Sequence, residues 1–143
     1  MNIATRELRR FNYLAGETSA LYHEASLKME LSDSACQVLY ALCCEGKCGI
    51  SDVCRLMGLS KQTVNSALRK LEIEELVKLE ALDGKQKLIS LTSKGSRFVK
   101  KTVVRLIEAE NRVFNGWSEE ERSEYLRLTE KYLDEFRQEV NKL

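Results

Sequence analysis

Ile50–Leu71 reads ISDVCRLMGLSKQTVNSALRKL, and it decides the fold. Apolar residues recur at helical spacing on both sides of Gly58, so two short amphipathic helices meet at a glycine turn. Glycine suits that turn because it takes a positive φ angle at little steric cost. Ser60 caps the second helix, and Leu59 with Val64 brackets the cap as a hydrophobic staple. Val64, Ala67, Leu68 and Leu71 form the inward stripe. The outward face carries Lys61, Gln62, Thr63, Asn65, Ser66 and Arg69. Amides and hydroxyls near the start of a helix suit base edges, and cationic side chains suit phosphate. The pattern is a helix-turn-helix, whose second helix enters a DNA major groove.

Outward from this motif, Leu76–Leu82 is short and mostly apolar. Asp83-Gly84 signals a turn, and Lys87–Leu91 alternates in the manner of a strand. Together they read as a two-stranded hairpin with a basic tip, Lys85 and Lys87. Thr92 caps the helix that follows. A helix-turn-helix running directly into a basic hairpin is a winged helix. Upstream, Ser32 caps a helix whose apolar face is Val38, Leu39, Leu42 and Cys43, with Leu31 and Cys36 as its staple. Gly46 and Gly49 punctuate its exit, and the next helix runs from about Ser51 to Met57.

The two ends are helical. Residues 5–29 repeat Leu8, Phe11, Ala15, Thr18, Tyr22, Ala25 and Met29, a heptad seam that must pack along another long helix. After the hairpin, Phe98, Val99, Val103, Leu106, Ile107, Val113 and Phe114 predict one long helix, broken at Asn115-Gly116. Ser118 and Glu121 form a capping box for the last helix, whose stripe is Tyr125, Leu128, Tyr132, Phe136, Val140 and Leu143. Trp117 reads as an anchor for that helix. The expected fold is mainly α with a small β-hairpin wing.

Composition narrows the function. The chain has 143 residues, 43% apolar and 31% charged, with no proline, so long unbroken helices are favoured. Net charge is +1, but residues 46–105 carry +7 while 1–45 carry −2 and 106–143 carry −4. A polyanionic partner would meet the middle segment. No run is apolar enough to span a membrane and no secretory signal opens the chain, so a cytoplasmic protein without a membrane partner is expected. Five cysteines, an odd count, argue against a disulfide framework.

The stretch GISDVCRLMGLSKQTVNSALRKLEIEELV, the wing LDGKQKLISLTSKG and the long flanking helices resemble the MarR family of transcription regulators. Leu91–Gly95, LTSKG, matches the family's LTxxG at the junction of wing and helix. The resemblance implies one domain over 1–143, with a winged DNA-binding lobe at 31–95 and dimerisation helices at 1–30 and 96–143. It implies a homodimer on a pseudo-palindromic operator in double-stranded DNA, each lobe on one half-site. The wing departs from the family, where a pair of arginines usually follows the aspartate. Here Asp83 is followed by Gly84, Lys85 and Gln86. Lysine lacks arginine's bidentate fork, so phosphate contact is the expected role of this wing.

The candidate DNA-binding residues are Ser60, Lys61, Gln62, Thr63, Asn65, Ser66, Arg69, Lys70, Lys85 and Lys87. Their plain alternative is a solvated helix face with solubilising charge. The family often binds small aromatic or anionic effectors between the dimerisation helices and the lobe. Tyr13, Tyr22, His23 and Tyr40 are the candidates for such a pocket, against simple packing at a helix junction. Cys36, Cys43 and Cys54 read as small core hydrophobes, and Cys44 and Cys48 as the exposed thiols that could sense oxidants. The cysteine spacing fits no standard metal site and His23 lies far from it, so neither a metal nor another cofactor is expected. No catalytic constellation is present: there is no phosphate loop, no HExxH and no nucleophile elbow. The reading is a non-enzymatic transcription regulator, a repressor with small-molecule control. Its rivals are a redox or metal sensor on the same fold, and a winged-helix protein-interaction module without DNA binding.

Overall fold

The computed structural model describes Met1, residues 3–84 and residues 86–143. The elements run α1 (Arg6–Lys28), α2 (Asp33–Glu45), β1 (Cys48–Gly49), α3 (Ile50–Met57), α4 (Lys61–Ile73), β2 (Val77–Ala81), β3 (Lys87–Leu91), α5 (Ser93–Lys101), α6 (Val103–Asn115) and α7 (Glu119–Val140). The protein is mainly α with a small antiparallel sheet in a winged-helix arrangement. Each predicted cap is made. The side chains of Ser32, Ser60 and Thr92 accept from the amides of Ala35, Thr63 and Gly95 at 3.2, 3.2 and 2.9 Å. Ser118 and Glu121 close a reciprocal box at 3.1 and 2.9 Å. Gly58 takes φ 64°, which lets α3 turn sharply into α4.

The core lies where α2, α3 and α4 meet under the sheet. Val38, Leu39, Val53, Val64, Leu71 and Ile89 are fully sealed from water. Each side chain of this size stabilises the lobe by about 1.5–3 kcal/mol on burial. The wing strands pair in register from Val77 with Leu91 to Ala81 with Lys87. The strand order is β1-β3-β2, so the sheet has a third strand beyond the hairpin read from sequence. Cys48 pairs with Ile89 and Gly49 with Leu88. Two residues cannot display an alternation, and Gly46 and Gly49 read only as punctuation.

The expected long helix after the wing is instead two helices, broken at Thr102 with φ −127° and ψ −92°. The Thr102 hydroxyl donates to the Phe98 carbonyl at 2.8 Å. A side-chain bond of this kind competes with the backbone ladder and bends helices. Two β-branched residues, Val103 and Val104, follow at once and stiffen the far side of the bend.

Two helix ends are unusual. Beyond α1 and α4, Glu30 and Glu75 sit in the left-handed region at φ 57° and 61°, a place that normally favours glycine. The amides of Leu31 and Leu76 reach back to the carbonyls of Ser26 and Leu71 at 3.0 and 2.9 Å, closing both helices. Leu31 and Leu76 are then buried, which holds the strained residues in place.

The chain divides into two compact units, Met1–Leu106 and Ile107–Leu143. In the second, Phe114, Trp117 and Tyr125 cluster with ring centroids 5.3–6.1 Å apart. Arg122 donates to the carbonyls of Phe114 and Trp117 at 3.2 and 2.7 Å, so Trp117 does anchor the last helix. None of the α7 residues is buried. Tyr132 and Phe136 stack on its surface, 48% and 52% exposed. Along α1, Leu8, Phe11, Leu14 and Tyr22 are exposed as well.

Replacing Glu30 or Glu75 by Gly removes the left-handed strain at the expense of a freer unfolded chain. Each substitution is expected to raise unfolding stability in urea by about 0.5–1 kcal/mol. A loss of stability would show that the glutamate side chains, not the backbone bonds, hold these ends.

Candidate nucleic-acid interface

α4 is a helix of 13 residues, about 20 Å long. Its buried stripe of Val64, Ala67, Leu68 and Leu71 fixes its rotation about its own axis. Gln62, Ser66 and Arg69 therefore face outward and are exposed, with Lys61 and Lys70 flanking them. Asn65 and Thr63 are half-buried at the margins of that face. The Ser60 hydroxyl accepts from the Thr63 amide and donates to the Thr63 hydroxyl at 2.9 Å. Both hydroxyls are thus engaged in shaping the first turn. No acidic residue lies in that turn. Its free amides and the positive end of the helix dipole favour an anion there. Arg69 Nη2 lies 3.5 Å from Ser66 Oγ.

Between α4 and the wing runs an open groove of about 380 Å³ lined by Ile50, Asn65, Leu68, Arg69, Glu72, Leu79 and Lys87. It brings Asn65, Arg69 and Lys87 together from two elements. Glu72, at its edge, was not read as part of the site; its charge opposes phosphate at the far end of the groove. Lys87 opens β3 and is exposed. Lys85 lies outside the described residues.

The four residues assigned to an effector pocket are not all gathered. Tyr13 and Tyr22 are nine residues apart on α1, about 180° around the helix, so they face opposite sides. Tyr13 lies beneath the Arg10 guanidinium, 5.4 Å from ring centre to cation. His23 Nδ1 donates to the Asp33 carboxylate, 2.9 Å from Oδ2, and ties α1 to the first turn of α2. Tyr40 is half-buried on α2.

The thiols need a correction. Cys44 is exposed as expected, but Cys48 is 5% exposed. The unforeseen pairing of β1 with β3 seals it beneath the wing. Burial first, then the charges of Asp52 and Glu45, pushes the Cys48 pKa up. Burial, then neighbouring Cys44 and Cys36, pushes Cys43 up to about 11. Of the three expected core positions Cys36 is buried, while Cys43 and Cys54 are only half-buried. Among the described residues no group of three His, Cys, Asp or Glu is placed to hold a metal ion. Among them, too, no helix is long and apolar enough to cross a membrane.

Residues 30–87 match the sequence profile of the MarR family. That span holds α2, the helix-turn-helix and the wing up to the first residue of β3. The winged lobe is similar in sequence to that of the MarR family. Similarity of fold extends over nearly the whole chain. A MarR family regulator from Neisseria meningitidis superposes with a TM-score of 0.85 at 16% identity, covering 96% of this chain and 99% of its own. The S. aureus MepR–DNA complex gives 0.71 at 21%, covering 93% and 98%. PcaV of Streptomyces coelicolor, solved with its natural ligand, gives 0.67 at 21%, covering 94% and 96%. No curated protein matches the chain at a significant level. The chain has the fold of a MarR family transcriptional regulator.

The MarR-type lobe makes the cysteines a test of its packing. A maleimide at pH 8 is expected to label Cys44 first. Cys43, with about one thiolate in a thousand at that pH, should follow slowly, and Cys48 only on unfolding. Because the Cys43 pKa is raised in the folded state, its contribution to stability is full below pH 9.0 and is lost as pH rises toward about 11. Fast labelling of Cys48 in the native protein would contradict the β1–β3 pairing.

Proposed function

We propose that this protein is a sequence-specific DNA-binding regulator that acts as a homodimer and represses the promoters it occupies. One observation carries the reading: α4 buries a complete apolar stripe and leaves Gln62, Ser66 and Arg69 on its other side, with Asn65 at the margin. Gln62 or Asn65 can pair with an adenine through two hydrogen bonds, and a good pair discriminates by about 1–3 kcal/mol. Lys61, Arg69, Lys70 and Lys87 neutralise phosphates, and Lys85 is assigned the same role from sequence alone. Ser60 and Thr63 support the first turn rather than read bases. The MepR complex with DNA is a fact of MepR; it supports this reading because the two chains share a fold.

Homodimerisation is supported by the apolar faces of α1 and α7. Leu8, Phe11, Tyr132 and Phe136 expose more apolar surface than a solitary chain leaves in water without consequence. Repression needs only occupancy of the promoter. Small-molecule control by an aromatic or anionic effector remains part of the proposal, at the α1–α2 junction near Tyr22, His23 and Tyr40. Such an effector acts only by binding the DNA-competent and incompetent arrangements with different affinity. No catalytic step, metal or cofactor is part of the mechanism.

Fluorescence polarisation with the duplex upstream of the protein's own gene tests the DNA reading. Asn65→Ala should lose about 1–3 kcal/mol on that duplex and little on unrelated DNA. Lys87→Gln should weaken both alike and lower the slope of log affinity against log salt by about 1. Equal effects of Asn65→Ala on both duplexes would remove it from base reading. In sedimentation, Phe136→Asp should convert the dimer to monomer; an intact dimer would exclude this face from the interface.

A further inference from the structure

The LTSKG stretch, Leu91–Gly95, is not among the residues assigned to DNA contact, yet it grips the end of the recognition helix. The Thr92 hydroxyl donates to the Glu75 carbonyl at 2.6 Å. The Lys94 ammonium donates to the Glu74 carbonyl at 2.8 Å. The Thr92 amide donates to the Leu76 carbonyl at 3.1 Å. Three consecutive carbonyls at the end of α4 are therefore each held by Thr92 or Lys94. Gly95 lies so close that a Cβ there would stand 1.9 Å from the Leu76 carbonyl oxygen. Only glycine lets α5 approach this tightly.

The end of α4 needs such a hold. Glu75 occupies the left-handed region, and Glu72, Glu74 and Glu75 crowd the negative end of the helix dipole. A cation on an outward carbonyl offsets both effects. The same two residues stand where β3 of the wing passes into α5. They thus join the far end of the reading helix to the return strand of the wing.

We propose that Thr92 and Lys94 are positioning residues for DNA recognition, a latch that fixes the α4 face and Lys87 at one separation. The proposal rests on the DNA reading above. With the latch closed, base edges and phosphates are met together, and the ordering of the two elements is already complete before binding. With it open, α4 rocks against the hairpin. Phosphates are still met one at a time, but base contacts lose their register. The latch therefore acts on specificity more than on affinity for DNA in general.

The test uses the full chain with Thr92→Val, Thr92→Ser and Lys94→Met, each checked for folding by urea titration. Thr92→Val also removes the α5 cap, which Thr92→Ser keeps. Lys94→Met leaves that cap untouched and carries the test if Thr92→Val does not fold. Affinity is measured on the promoter duplex and on unrelated DNA. The latch predicts a loss of roughly five- to tenfold on the promoter for Thr92→Val and Lys94→Met. It predicts no more than about a twofold change on unrelated DNA, and Thr92→Ser close to the unaltered protein. Equal losses on both duplexes, or an unchanged promoter affinity, would overturn it. Should the unaltered protein not distinguish the duplexes, the DNA reading fails. Amide exchange over 71–76 then judges the latch. Faster exchange in Lys94→Met and Thr92→Val but not Thr92→Ser supports the hold, and unchanged exchange in all three overturns it.

Discussion

The burial of Val64, Ala67, Leu68 and Leu71 against α2 and α3 sets the orientation of α4, and the proposed DNA-reading surface is the remainder of that helix. A helix pinned along one stripe has one outward face, and here that face carries amide, hydroxyl and guanidinium groups. Truncating Leu68 or Leu71 would remove about 2–5 kcal/mol of packing, enough to loosen the face as well as the fold. Gly58 at one end and the Glu75–Leu76 turn at the other then determine how the wing and α3 are placed around it. The groove shared by Asn65, Arg69 and Lys87 follows from those constraints.

Much of this was legible in the residues. Ser32, Ser60, Thr92 and Ser118 announce their caps because a short hydroxyl before an apolar periodic run has few other uses. Gly58 announces its turn for the same kind of reason, since few residues other than glycine take that φ. What stayed hidden depends on tertiary context. β1 is two residues long and exists only because β3 lies beside it, so neither it nor the burial of Cys48 could be read in advance. The bend at Thr102 comes from one hydroxyl choosing a carbonyl a turn away. The left-handed Glu30 and Glu75 contradict local preference and persist because buried Leu31 and Leu76 hold the turns shut.

The exposure of the candidate site's residues was legible in part. The helical period placed Gln62, Ser66 and Arg69 outward correctly. It gave no warning that Ser60 and Thr63 would satisfy one another, nor that Glu72 would share the groove. The effector candidates rest on the family resemblance, which carries no helical phase, and the rotation of α1 separates Tyr13 from Tyr22. The heptad seam of α1 calls for a partner helix, and its apolar residues, like those of α7, are exposed in the single chain.

Hydrogen–deuterium exchange of the protein, alone and bound to its promoter duplex, tests the central claim most directly. The account predicts protection on binding over 60–69 and in β3 at Lys87, with peptides from the exposed face of α7 unaffected by DNA. Protection absent from 60–69 while the duplex is demonstrably bound would contradict it.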